Sequence, residues 1–216
     1  DLKYIDSNGD GKIDPGSGTL KDHGDLKIIG NTTPRYSFGL NLHAGYKGFE
    51  VSALFQGVMK RDFPMAASTY LFSGDSNFFK EHLDYYNVYN PGAYLPRLTK
   101  PDSPEYNANV GYNTSRYLLN AAYMRLKNLM ISYNFQPKLV KKMGLENLKV
   151  YFTCDNLFTI DNLPDVFDPE TLYQVNTWAG GSNETAPGLT SPMKQNGNGK
   201  VYPLNKNYVF GIEFTF

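Results

Sequence analysis

Long hydrophobic runs are missing from this chain of 216 residues: the longest, Ala121 to Met124, holds four apolar residues. A membrane-spanning helix needs about 20, so none is encoded. Cysteine is almost absent, and Cys154 alone cannot form an internal disulfide. It reads as a small apolar residue on a strand face rather than as a nucleophile. Three histidines (His23, His43, His82) and no Gly-x-Ser-x-Gly elbow leave little for hydrolytic chemistry. The acids Asp84, Asp161, Asp165, Asp168 and Glu170 lie in loops without the paired spacing of a glycosidase dyad. Gly9-Asp10-Gly11 lacks the third glycine and the following helix of a phosphate cradle. The expectation is therefore a protein that is not an enzyme. Charge of one sign is lacking too: 21 basic and 21 acidic residues balance, which argues against nucleic acid or an anionic membrane surface as partner. The chain begins without methionine and without a signal peptide, so it is read as processed or partial.

Aromatics and period-2 alternation are what the chain does have, with 17 tyrosines and 14 phenylalanines. Side chains alternate along a strand. Tyr36, Phe38, Leu40, Leu42, Ala44 and Tyr46 thus share one face of a first strand. Phe49, Val51, Ala53 and Phe55 do so in a second, Leu129, Ile131, Tyr133 and Phe135 in a third, and Leu148, Val150, Phe152 and Cys154 in a fourth. In the fifth, Tyr208, Phe210, Ile212, Phe214 and Phe216 oppose Val209, Gly211, Glu213 and Thr215. A soluble sandwich would bury such a face, whereas a membrane barrel turns it to lipid and hides its apolar content from any hydropathy average. The predicted fold class is all-β: the last five antiparallel strands of a large transmembrane β-barrel, a fragment that cannot close alone because closure takes about eight strands.

The lengths of the connections agree. Tyr46-Lys47-Gly48 and Pro137–Asn147 are short, and the segments 62–120 and 162–200 are long. Compact soluble domains seldom contain two such loops, while outer-membrane barrels pair short periplasmic turns with long extracellular loops. A periplasmic C-terminus then puts both long segments outside the cell. The division read from this pattern is an extracellular loop over 1–34 and barrel strands with their loops over 35–216. The alternative is a soluble, calcium-stabilised β-sandwich that binds carbohydrate at a cell surface.

Asp6-Ser7-Asn8-Gly9-Asp10-Gly11-Lys12-Ile13-Asp14 follows the first nine positions of an EF-hand-type loop. Asp6, Asn8, Asp10 and Asp14 would supply side-chain oxygens and Lys12 its backbone carbonyl, with Gly11 at the sharp turn. Ser17 stands where the closing acid belongs, and Asp22 or Asp25 would have to close the site across an insertion. The expectation is a structural Ca²⁺ ordering the loop, and its counterpart is an Asx-rich turn without metal. Tyr85, Tyr86, Tyr89 and Tyr94 cluster in the first long loop, with Tyr173 and Trp178 in the second. Flat rings of this kind stack on sugars or on protein partners, and equally pack long loops together. Substrate-binding candidates on this basis are Tyr85, Tyr86, Tyr89, Tyr94 and Trp178.

Several stretches carry a family resemblance. Asp10-Gly11-Lys12-Ile13-Asp14 is followed by Ile29-Gly30-Asn31-Thr32-Thr33-Pro34-Arg35-Tyr36-Ser37-Phe38-Gly39 opening a strand. Then come Tyr46 to Gly57, Tyr94-Leu95-Pro96-Arg97-Leu98, and Tyr123-Met124-Arg125-Leu126-Lys127-Asn128-Leu129. Tyr151 to Thr159, Asp168-Pro169-Glu170 and Tyr202-Pro203-Leu204 complete the order. Together they resemble the late barrel of SusC-like (SusC/RagA) TonB-dependent transporters, over nearly the whole chain. The end of the chain, with Gly211, Phe214 and the terminal Phe216, resembles the assembly signal of bacterial outer-membrane barrels, with Val209 where that signal usually has a polar residue. The resemblance implies a plugged barrel of about 22 strands in the outer membrane of a Gram-negative bacterium. It also implies a SusD-like surface lipoprotein as lid, the TonB complex as energy source, and the remainder of the barrel and its plug as partners beside lipid. Nutrient import is implied, with glycans the commonest cargo and peptides known for some members.

Overall fold

A computed structural model describes residues 2–65, 80–99, 103–105, 109, 114–172 and 202–216. The chain forms two units. The first comprises the described residues of Asp1–Asn31 and Phe63–Leu119, the second those of Thr32–Asp62, Asn120–Leu172 and Val201–Phe216.

The second unit is built on a five-stranded antiparallel sheet of β1 (Arg35–Tyr46), β2 (Phe49–Lys60), β5 (Tyr123–Asn134), β6 (Asn147–Asp161) and β7 (Asn207–Thr215), in that order. A separate two-stranded sheet pairs β3 (Asp62–Pro64) with β4 (Leu118–Asn120). All five expected strands are present. β2, β5 and β6 run several residues beyond the expected bounds, towards the long connections.

The turn between β1 and β2 consists of Lys47 (φ 50°) and Gly48 (φ 90°). Two successive positive φ angles make the mirror-image turn whose twist matches a right-handed hairpin. A side chain on Gly48 would run into the Asn134 carbonyl on β5. The other short connection contains a helix, Pro137–Lys142, begun by a proline that needs no amide partner there and ended before Gly144 at φ 78°.

The register assembles the alternating residues into continuous rows. Leu42, Ala53, Leu129, Cys154 and Tyr208 lie side by side across the five strands. So do Ala44, Val51, Ile131, Phe152 and Phe210, and then Tyr46, Phe49, Tyr133, Val150 and Ile212. This face is exposed: Phe210 is 70% and Ile212 57% accessible. A soluble sandwich would have covered it with a second sheet. The rows of the opposite face are mostly polar or small, for example Asn41, Asn128, Asp155 and Asn207, with Leu54 as an apolar member of that row. There Asn128 Nδ2 donates to Asp155 Oδ1 at 2.8 Å, and Lys149 Nζ lies 3.6 Å from Glu50.

Strict alternation fails at one place, and the structure repairs it with bulges. Between Leu54 and Phe55 of β2 the facing strand β5 carries an extra residue, Lys127. Opposite the same stretch β6 carries one more again, with Asn156 at φ 51°. An inserted residue reverses which face follows it. Leu126 therefore joins Phe55 and Phe158 on the apolar face, and Arg125 joins Gln56 and Thr159 on the polar one.

In the first unit, residues 2–31 form a loop without regular structure, and 3₁₀ turns span Ser115–Tyr117 and, earlier in the chain, Lys80–Leu83. A compact loop follows, closed by a bridge between Tyr85 and Leu95.

Candidate functional site

Among the described residues, the densest group of buried charge lies in the second unit, on the polar face of the sheet. Arg125 of β5 is 3% exposed. Its Nε donates to Thr159 Oγ1 at 2.7 Å and its Nη2 to Asp168 Oδ2 at 2.8 Å, while Nη1 stands 3.3 Å from Glu170 Oε1. Lys127 Nζ, placed by the bulge, completes the group at 2.8 Å from Glu170 Oε2. Two cations thus face two carboxylates. Burial of unpaired charge is costly, and pairing with extra hydrogen bonds is what makes the arrangement tolerable.

Asp168 supplies those bonds. Its Oδ1 accepts from the Glu170 amide at 2.9 Å and its Oδ2 from the Leu204 amide at 3.3 Å. Asp168 follows β6 and Leu204 precedes β7, so this carboxylate ties together both ends of the second long connection. Arg61, just beyond β2, reaches the same segment through the carbonyls of Leu172 (3.1 Å) and Pro169 (3.4 Å). Every carboxylate here is committed to a cation or an amide, an arrangement that holds a loop root rather than one that moves protons. The sequence contained the signal, in Arg125-Leu126-Lys127 and Asp168-Pro169-Glu170, but not their pairing across 43 residues.

The acidic loop of the first unit folds back on itself. Asp6 accepts from the amides of Gly9 (2.6 Å) and Gly11 (2.9 Å), and Asp10 from Lys12 (2.8 Å). Asn8 Oδ1 accepts from the Asp10 amide, and its Nδ2 donates to the other oxygen of the Asp10 carboxylate. Asp25 spans the insertion: one oxygen accepts from the Ser7 amide, the other from the Asp14 amide at 2.9 Å. These two bonds, that from Ser7 foremost, hold the Asp25 carboxyl below the usual carboxylate range. Asp22 is turned instead to Ser17 inside the insertion. Among the described residues no three His, Cys, Asp or Glu side chains are gathered as a metal-binding group.

Of the aromatic candidates, Tyr94 is the most engaged. Its ring meets Tyr117 edge-on with centroids 5.5 Å apart, and the Arg116 guanidinium lies 5.5 Å from its centre. Its hydroxyl donates to the Arg116 carbonyl at 2.9 Å, and Arg116 Nε returns a bond to the Tyr94 carbonyl at 3.0 Å. Asp84 fixes the same loop by accepting from Asn90 Nδ2 and from the Tyr94 amide, and these bonds, Asn90 first, keep its carboxyl below the ordinary value. Tyr86 lines the same cleft as Tyr94, Tyr85 belongs to the bridge with Leu95, and Tyr89 stands free in solvent. Tyr173 and Trp178 lie outside the described residues. At the end of β7, Gly211 faces Tyr151 of β6, and Phe214 and Phe216 lie 6.1 Å apart, both exposed.

No family model matches the chain. It is 30% identical over 171 residues to TonB-dependent receptor P3 of Formosa agariphila, covering 79% of this chain and 15% of that protein. With TonB-dependent receptor P26 of the same organism it shares 26% identity over 216 residues, covering 99% of this chain and 19% of the relative. Among solved structures it resembles the RagAB peptide transporter, with a TM-score of 0.58 and 24% identity over 88% of this chain and 18% of that one. The RagAB peptide importer in its closed-closed state gives the same TM-score at 22% identity over 96% of this chain and 20% of that one. The chain thus spans under a fifth of the length of these curated relatives. The five-stranded antiparallel sheet, with the barrel-type fold of the RagAB structures, and the likeness to these relatives agree that the chain belongs to the TonB-dependent receptors, as a portion of one.

Proposed function

We propose that the chain forms part of the wall and of the extracellular face of an outer-membrane transporter that imports nutrient ligands. The carrying observation is the sheet itself: three contiguous apolar rows left largely exposed, on a sheet whose β1 and β7 have, among the described residues, a neighbour on one side only. Lipid is the environment that such a face fits, and an open strand edge inside a bilayer costs several kcal/mol for each unsatisfied backbone group. The remainder of the barrel would pair with both edges. A tilted strand of about 9–11 residues crosses a bilayer, and β1, β2, β5 and β6 have 12 or more. Phe49, Tyr133 and Phe135 meet ring to ring beside the short turn, as the aromatic girdle at a membrane interface would.

In this reading the short turns and the C-terminus are periplasmic, and the long connections face a SusD-like lipoprotein. TonB supplies the energy. Glycans are the proposed cargo. Peptides are the second reading, supported by the peptide importers among the structural neighbours. A structural Ca²⁺ at Asp6, Asn8, Asp10, Asp14 and the Lys12 carbonyl is also proposed, with Asp25 as the closing acid. Membrane-impermeant maleimide on intact cells tests the orientation: cysteine at the exposed Val88 should react, and cysteine at Lys47 should react only after lysis. The reverse pattern overturns it. Growth of a deletion strain on glycan or on peptide as sole carbon source separates the two cargoes.

A further inference from the structure

In the first unit, Leu2, Lys3, Tyr86, Tyr94, Arg116 and Tyr117 line a cleft of about 330 Å³, with Pro91 and Pro96 among its other walls. That is at the small end of ligand-sized cavities, enough for one sugar ring or a short peptide segment. Its lining holds two cations and no acid. Lys3 is exposed, and among the described residues no carboxylate lies within ion-pair distance of it. Arg116 spends Nε and Nη2 on the carbonyls of Tyr94 and Ala93, which fixes its guanidinium over the Tyr94 ring. Its charge remains unneutralised by any salt bridge among the described residues. Asp84 acts on it electrostatically, but its two oxygens are occupied by Asn90 and the Tyr94 amide. The side chains of Tyr86 and Tyr94 are partly open to solvent.

We infer that this cleft is a subsite for a carboxylate-bearing ligand, which Lys3 and Arg116 receive as charge while a tyrosine face takes the flat or apolar body beside it. The inference rests on the import reading and narrows its cargo to acidic molecules. A uronic acid and an acidic peptide carry the same group. A fixed guanidinium and an exposed ammonium on one rim favour an anion, and two rings beside them favour something to stack.

The test uses the full-length receptor in detergent, titrated with trigalacturonate against a neutral galactose trimer, and with triglutamate against triglutamine. Tighter binding of either charged probe is expected, weakened by salt, and the probe preferred identifies the source. Lys3→Gln, which removes no side-chain bond among the described residues, should cut the charged probe's affinity by about two- to fivefold and leave the neutral probe's unchanged. Lys3→Arg should restore it. Equal affinity for charged and neutral probes, or an unaltered preference in Lys3→Gln, overturns the subsite. Uptake by cells is scored separately. Binding that follows charge in a receptor that imports nothing would leave the subsite standing and defeat the import reading.

Discussion

The ring of Tyr151 lies against the α-carbon of Gly211 on the neighbouring strand, in the space that a β-carbon would occupy. Phe38 covers Gly57 in the same way across β1 and β2. In both pairs the aromatic fills the gap left by a glycine and shields a weak point of the strand. Gly211→Ala should therefore lower stability by about 1–3 kcal/mol through overpacking, and Tyr151→Ala in the same chain should recover part of the loss. The folded fraction on a cold SDS gel after urea titration reads both effects. Equal behaviour of Gly211→Ala and wild type would show that the ring moves aside at no cost.

Removing one partner of the buried cluster should cost far more than removing both. Asp168→Asn leaves Arg125 buried without its closest counter-charge, a change expected to destabilise by about 3–5 kcal/mol. Arg125→Met with Asp168→Leu should be much milder. Protease cleavage within 162–206 is the local readout, because Asp168 ties both ends of that connection.

Acid should loosen the tyrosine loop. The Asp84 carboxyl is held below its ordinary value by Asn90 and the Tyr94 amide. Its contribution is therefore complete above the unfolded carboxyl value of about 3.9 and disappears as pH falls through the lower, folded value. Hydrogen exchange at the Tyr94 amide, corrected for intrinsic rate, should show protection at pH 7 and its loss once acid titrates the folded Asp84 carboxyl, below its unfolded value. Asp84→Ala should lack that protection at both.

Chelation probes the acidic loop. With Ca²⁺ bound, EGTA should raise cleavage between residues 6 and 25, and Asp10→Ala should be cleaved equally with and without the chelator. Cleavage of the wild type that ignores EGTA would mean that the Asp6, Asp10 and Asp25 hydrogen bonds alone order the loop.

Alternation by itself determined the five strands, their apolar face and the positions of both long connections, because a period of two is local and survives in any window of sequence. Lys47-Gly48 likewise announced its turn through the backbone freedom that position needs. The bulge at Lys127 was hidden from that reasoning. Strict alternation from Leu129 would have put Lys127 and Arg125 on the apolar face, and only pairing with β2 and β6 reveals the inserted residue that turns Arg125 to the polar side. The partnership of Arg125 with Asp168, and of Asp25 with the ends of the acidic loop, also required coordinates. Ion pairs and carboxylate–amide bonds between distant segments leave no periodic trace. Their geometry exists only once the chain has brought those segments together.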